Sequence, residues 1–182
     1  MKIRTQSISR VEGAFLEIDL EISQEMLPIA FEGYVFTNQL TLKGKLVNEG
    51  KHLFRLGATL HAQIEGACAR CLKPVQTDLN IEINESFVPP GHENHERVSQ
   101  QMEEAQAPEE SMYVYQGHII DLEQAIRDNI VLSLPQRLVC SSQCKGLCPK
   151  CGQNLNQKQC DCSVDSPDET GQSPFDRLKE LL

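Results

Sequence analysis

The sequence predicts an α+β fold: an antiparallel β-sheet or small barrel with few helices, carrying a cysteine-rich, zinc-binding module at its C-terminal end. Three observations predict it. Apolar residues alternate with polar ones in four separate stretches before residue 84, one segment near residue 125 has helical spacing, and six of the eight cysteines fall after Pro135.

The first stretch runs from Ala14 to Ile22, with Leu16, Ile18, Leu20 and Ile22 on one face and Glu17, Asp19 and Glu21 on the other. That is the pattern of a half-buried strand. A second extends over Tyr34 to Val47, and Asn48-Glu49-Gly50-Lys51 supplies turn chemistry after it. The third aligns Leu56, Ala58, Leu60, Ala62 and Ile64, and the fourth, after the loop from Cys68 to Pro74, aligns Leu79, Ile81 and Ile83. Residues 89–112 open with Pro89-Pro90-Gly91 and carry six glutamates against Arg97, the composition of a mobile acidic loop. Tyr113 to Ile120 reads as a short closing strand. Asp121 then caps a helix on Leu122, Ala125, Ile126 and Ile130, which Pro135 ends. This divides the chain into a β-rich core over 1–135, a metal-binding module over 136–163, and a tail over 164–182 in which Ser173-Pro174 starts a short helix.

No run approaches the roughly 18 apolar residues of a membrane-spanning helix, and the start has no secretory pattern, so the expectation is a cytoplasmic protein with no membrane partner. In a reducing compartment, paired cysteines are metal ligands rather than disulfides. The pairs are Cys68-x-x-Cys71, Cys140-x-x-x-Cys144, Cys148-x-x-Cys151 and Cys160-x-Cys162. Two thiolates a few residues apart reach one tetrahedral ion at about 2.3 Å, and two such pairs complete a four-sulfur site. Cys148 and Cys151 are the sharpest pair, and Cys160 with Cys162 closes the most compact site. Cys140 and Cys144 either join that site or combine with Cys68 and Cys71 in a second one. Zinc is the expected ion; an iron–sulfur cluster would use the same donors. Cys68 and Cys71 also read as a possible redox pair, although no strand–helix context for one is evident.

No nucleophile elbow, phosphate-cradling loop or carboxylate cluster suggests an enzyme, and no small-molecule substrate is indicated. The net charge of −9 argues against a general nucleic-acid binder, yet residues 40–73 hold Lys43, Lys45, Lys51, Arg55, Arg70 and Lys73 against two glutamates. These six are the candidate RNA-binding residues, the alternative being an ordinary solvated face. Residues 136–160 are also locally basic, with Arg137, Lys145, Lys150 and Lys158 and no acid.

The ordered set Cys68-Ala69-Arg70-Cys71-Leu72, Ile120-Asp121-Leu122, Leu132-Ser133-Leu134-Pro135, Cys144 to Gly152 and Cys160-Asp161-Cys162 resembles the YceD family. These are bacterial and plastid proteins implicated in accumulation of large-subunit ribosomal RNA. The resemblance implies a non-enzymatic role in maturation or stability of that RNA (23S), with a ribosomal RNA precursor or ribosome-assembly proteins as partners. A thiol-redox protein using Cys68 and Cys71, and a zinc-knuckle adaptor that binds only protein, are the alternatives.

Overall fold

Alternating side chains make the long strands one-faced, and the fold stacks those faces under a helix and the N-terminal segment. The computed structural model describes residues 1–27, 33–92 and 112–162. Most of the expected acidic loop, and the tail with its expected helix, lie outside the described residues. The elements are β1 (Lys2–Arg4), β2 (Phe15–Ile22), β3 (Tyr34–Phe36), β4 (Leu40–Gly50), β5 (Leu53–Ala67), β6 (Pro74–Val88), β7 (Met112–Val114), β8 (Ile119–Asp121) and α1 (Glu123–Ser133), with a 3-10 turn at Gln24–Met26.

The main sheet has the order β2-β4-β5-β6-β7, and β3 also pairs with β5. Every neighbouring pair in it is antiparallel except β6 and β7. The expected strand over 34–47 is therefore two strands lying along one side of β5. They separate where the Asn38 side chain, rather than the backbone, accepts the Gln63 N–H at 3.0 Å. The hairpin turn also differs from expectation. Gly50 pairs with Leu53, leaving Lys51 and His52 as a two-residue turn with φ of 48° and 65°. Positive φ at both central residues matches the twist of the flanking strands. Asn48 is instead buried in β4, where its amide donates to the Ile8 and Val11 carbonyls at 2.8 and 3.0 Å.

The segment expected as one closing strand splits into β7, parallel to β6, and β8, which pairs with β1. β1 is too short to show periodicity and is not legible in the sequence. Asp121 accepts from the Glu123 N–H at 3.1 Å, close to its expected capping role. Ile120, Leu122, Ala125, Ile126 and Ile130 join Leu40, Leu42, Leu46, Phe54, Leu56 and Ile83 in one core.

The β4–β5 contact is close at Gly44, opposite Ala58. A Cβ there would lie 2.3 Å from the Gly57 carbonyl oxygen and 2.4 Å from the Ala58 Cα, whereas a Cβ on Gly57 would meet only the Asn84 Oδ1, at 3.8 Å. Gly44→Ala should therefore destabilise the protein by about 1–3 kcal/mol, because backbone must move to admit it. Gly57→Ala should be tolerated. Urea unfolding of the two variants checks the contrast, and equal midpoints would contradict it.

Candidate metal centres

β5 and β6 form the longest hairpin, and its turn is the first cysteine loop. Leu72 donates to the Cys68 carbonyl at 2.9 Å, and Cys68 to that of Lys73 at 2.8 Å, so Cys68 and Cys71 share one tight knuckle. Leu72 closes it with a left-handed φ of 59°. The segment 148–152 repeats this design: the Gly152 N–H meets the Cys148 carbonyl at 2.9 Å, and Gly152 has φ 72°. Glycine adopts that conformation freely, and leucine does so only at a cost.

The chain after α1 returns to the hairpin turn. The Tyr34 hydroxyl donates to the Pro135 carbonyl, and the Ala69 N–H to that of Leu138 at 2.8 Å. Gly66 leaves room for this approach, since a Cβ there would lie 2.9 Å from the Leu138 side chain. Cys140 and Cys144 consequently meet Cys68 and Cys71. The Cys68 and Cys144 sulfurs are 3.9 Å apart, and those of Cys71 and Cys140 3.6 Å. Val75 and Leu147 pack against this group.

The second group is Cys148, Cys151, Cys160 and Cys162. Within each group all four sulfurs lie within 4.8 Å of one another, so each can hold a metal ion. Four thiolates around one tetrahedral ion at about 2.3 Å would lie about 3.8 Å apart, which the two distances in the first group bracket. They are far beyond the roughly 2.05 Å of a disulfide. Cys140 and Cys144 thus stand with Cys68 and Cys71 rather than beside Cys148 and Cys151, and the first group crosses the boundary near Pro135.

Backbone amides favour thiolates in both groups. Cys68 is held down to about 6 by the Cys140 N–H and then the Arg70 N–H, each 3.4 Å from its sulfur. Cys148 is held down to about 6 by the N–H groups of Cys151 and then Lys150. Cys140 is pushed up to about 12 by hydrogen bonding with Cys144 and then Cys71, and Cys162 to about 12 by hydrogen bonding with Cys151 and then by burial. Burial pushes Cys144 up, but the Gly146 N–H and the Asn156 side chain outweigh it and leave this thiol below its ordinary value. Four adjacent thiolates repel one another, and a bound cation lets all four ionise together.

Asn156 was not legible as a site residue. Its position in the turn between Cys151 and Cys160 suggests only loop chemistry. Its side chain donates to the Cys144 sulfur at 3.3 Å and accepts from the Lys145 N–H at 2.8 Å. The loop of the second group therefore supports the first.

The six candidate RNA-binding cations are not gathered in one patch. Lys43 lies 3.4 Å from Asp19, and Arg55 lies 2.8 Å from Glu49. Lys45 stands opposite Glu17 in the register and reaches over the Phe15 ring, 4.6 Å from its centre. Lys51 occupies the β4–β5 turn, while Arg70 and Lys73 flank the first knuckle at the other end of β5. The Arg70 guanidinium donates to the Ser142 and Cys144 carbonyls at 3.2 and 3.0 Å.

The family model described as "Large ribosomal RNA subunit accumulation protein YceD" matches residues 56–182. A protein of Arabidopsis thaliana named "Large ribosomal RNA subunit accumulation protein YCED homolog 1, chloroplastic" is 43% identical over 63 residues, 35% of this chain and 19% of that one. An uncharacterized protein of Mycobacterium tuberculosis is 35% identical over 113 residues, 62% of this chain and 49% of its own length. One from Mycobacterium leprae is 30% identical over 104 residues, 55% of this chain and 42% of its own. The chain spans less than half the length of each of these relatives. No solved structure matches it.

The outer hydrogen bond from Asn156 yields a directional expectation. Asn156→Ala should weaken metal binding at the first group by about 10-fold or more and spare the second, as measured by chelator competition. Equal weakening of both groups, or of neither, would contradict this. Acid should also release the metal. Cys68 and Cys148 ionise more readily folded than unfolded, so the stability they lend is complete above the ordinary thiol value of 9.0 and is lost as pH falls through about 6. A chelating dye should report metal release as the pH drops below about 6.

Proposed function

This chain belongs to the YceD family, and from that premise we propose that it is a non-enzymatic factor supporting maturation or accumulation of large-subunit ribosomal RNA, built on two structural zinc centres. The family's name implies the role in ribosomal RNA. The observation that carries the structural reading is closure: each group offers four cysteines to one ion, with no histidine or carboxylate among them and no position left for a substrate. Zinc bound there would supply a cross-link whose binding free energy is folding free energy, not Lewis-acid catalysis.

Sulfur spacing supports a single ion over an iron–sulfur cluster. A cluster interposes irons and sulfides between at least some of its cysteines and spreads them apart, whereas all four sulfurs of each group lie within 4.8 Å of one another. Among single ions, zinc is the usual occupant of four-thiolate structural sites. A reducing compartment such as the cytoplasm keeps the thiols free for this role. Burial of Cys68 and Cys71 opposes a thiol-exchange function, which needs access to the attacking sulfur.

Removing the protein from its host should lower large-subunit ribosomal RNA relative to the small-subunit RNA, measured by quantitative electrophoresis of total RNA. The intact gene should restore the ratio, and a Cys68→Ser/Cys144→Ser double variant should not. An unchanged ratio on removal would overturn the proposal.

A further inference from the structure

The acidity of the whole chain conceals a cationic end. Residues 67–74 and 136–162 together hold Arg70, Lys73, Arg137, Lys145, Lys150 and Lys158 against one acid, Asp161, in a chain of net charge −9. The fold brings these two distant segments together. Ala69 hydrogen-bonds Leu138 at 2.8 Å and Leu147 hydrogen-bonds Arg70 at 3.1 Å, so Arg70, Arg137 and Lys145 are neighbours around the first knuckle. The turn at Asn154–Asn156 holds the next pair: the Lys145 N–H meets the Asn156 side chain at 2.8 Å, and the Lys158 N–H meets the Asn154 carbonyl at 3.1 Å. Arg70 spends its guanidinium on neutral carbonyls and so keeps its charge. On the sheet, by contrast, strand pairing sets Asp19 against Lys43 and Glu17 against Lys45.

We propose that this cationic end of the long hairpin, centred on Lys145 and Lys158, is the surface that holds the phosphate backbone of RNA. The proposal rests on the ribosomal RNA reading above and names the part of the molecule through which it acts. Lys145 stands at a cleft of about 240 Å³ that is lined also by Cys148, Cys160 and Cys162 of the second group and by Pro149, Leu155 and Gln159. The exposed side chains of Lys145, Lys150 and Lys158 attract an approaching anion. Metal-bound thiolates carry surplus negative charge that opposes this. Six of the eight cysteines are buried or half-buried and Cys140 and Cys151 are exposed, whereas Lys145, Lys150 and Lys158 are all exposed, so most of the thiolate charge lies behind the cations. Residues 136–162 include no aromatic side chain on which a base could stack. Contact therefore falls on the backbone, and sequence preference is weak.

The test titrates metal-loaded full-length protein into a labelled mixed-sequence single-stranded RNA between about 50 and 200 mM salt. Log affinity should fall linearly with log salt. Lys145→Glu/Lys158→Glu should weaken binding about 10-fold or more and flatten the slope by about 1.4, at about 0.7 per lost phosphate contact. Lys43→Glu/Lys45→Glu should leave both quantities within about twofold of the parent. Unchanged metal content verifies the folding of each variant, and Lys145→Gln/Lys158→Gln stands in if charge reversal disturbs it. An unchanged slope in the Lys145/Lys158 variants, equal losses in both pairs, or capture of protein partners with no RNA binding would overturn the surface. RNA binding through this surface by a protein whose removal leaves ribosomal RNA intact would overturn the functional reading and leave the surface standing. Loss of ribosomal RNA on removal of a protein that binds no RNA would do the reverse.

Discussion

The approach of Cys68 to Cys144 is the constraint on which the C-terminal half of the described structure depends. Their sulfurs are 3.9 Å apart although 76 residues separate them. The cost of such closure grows only with the logarithm of loop length, so a long excursion is little worse than a short one. The sheet meets part of that cost in advance. Fourteen register pairs hold β5 against β6, from Phe54↔Phe87 to Ala67↔Pro74, and deliver the first knuckle on a rigid stem. The returning chain then needs only the contacts at Tyr34, Gly66 and Ala69 to bring Cys140 and Cys144 into reach.

The second group inherits its position from the first. Leu147 pairs with Asn154 in an isolated bridge, the Leu155 N–H meets the Gly146 carbonyl at 3.0 Å, and Asn156 reaches back to the Cys144 sulfur. The two groups are thus adjacent but share no ligand, and the side chain that links them, Asn156, serves the first. The same geometry turns the knuckle segments' cations outward at the end of the molecule farthest along the hairpin from the β4–β5 turn.

Much of the sheet was legible because one-faced strands write their burial into every second residue. Leu56, Ala58, Leu60, Ala62 and Ile64 are buried as their alternation requires. The cysteine pairing was legible only locally. Spacing shows that Cys148 and Cys151 can share an ion, but not that Cys140 and Cys144 belong with a pair some 70 residues earlier, because that depends on where α1 delivers the chain. Charge failed for a related reason. A window over 40–73 counts Lys43 and Lys45 as surplus, yet their partners Asp19 and Glu17 come from β2, outside the window. The turn at Lys51-His52 was missed because Asn48 resembles a turn former while serving as a buried hydrogen-bond hub.

The central claim is that one four-sulfur centre ties the hairpin to the C-terminal segment and that a second, separate one closes within that segment. Elemental analysis combined with X-ray absorption spectroscopy of the purified full-length protein tests it most directly. The account predicts two zinc ions per chain, each with four sulfur neighbours, and loss of one ion in a Cys71→Ser variant whose second centre stays intact. A folded protein without metal, or nitrogen or oxygen bound to the metal in place of sulfur, would contradict it.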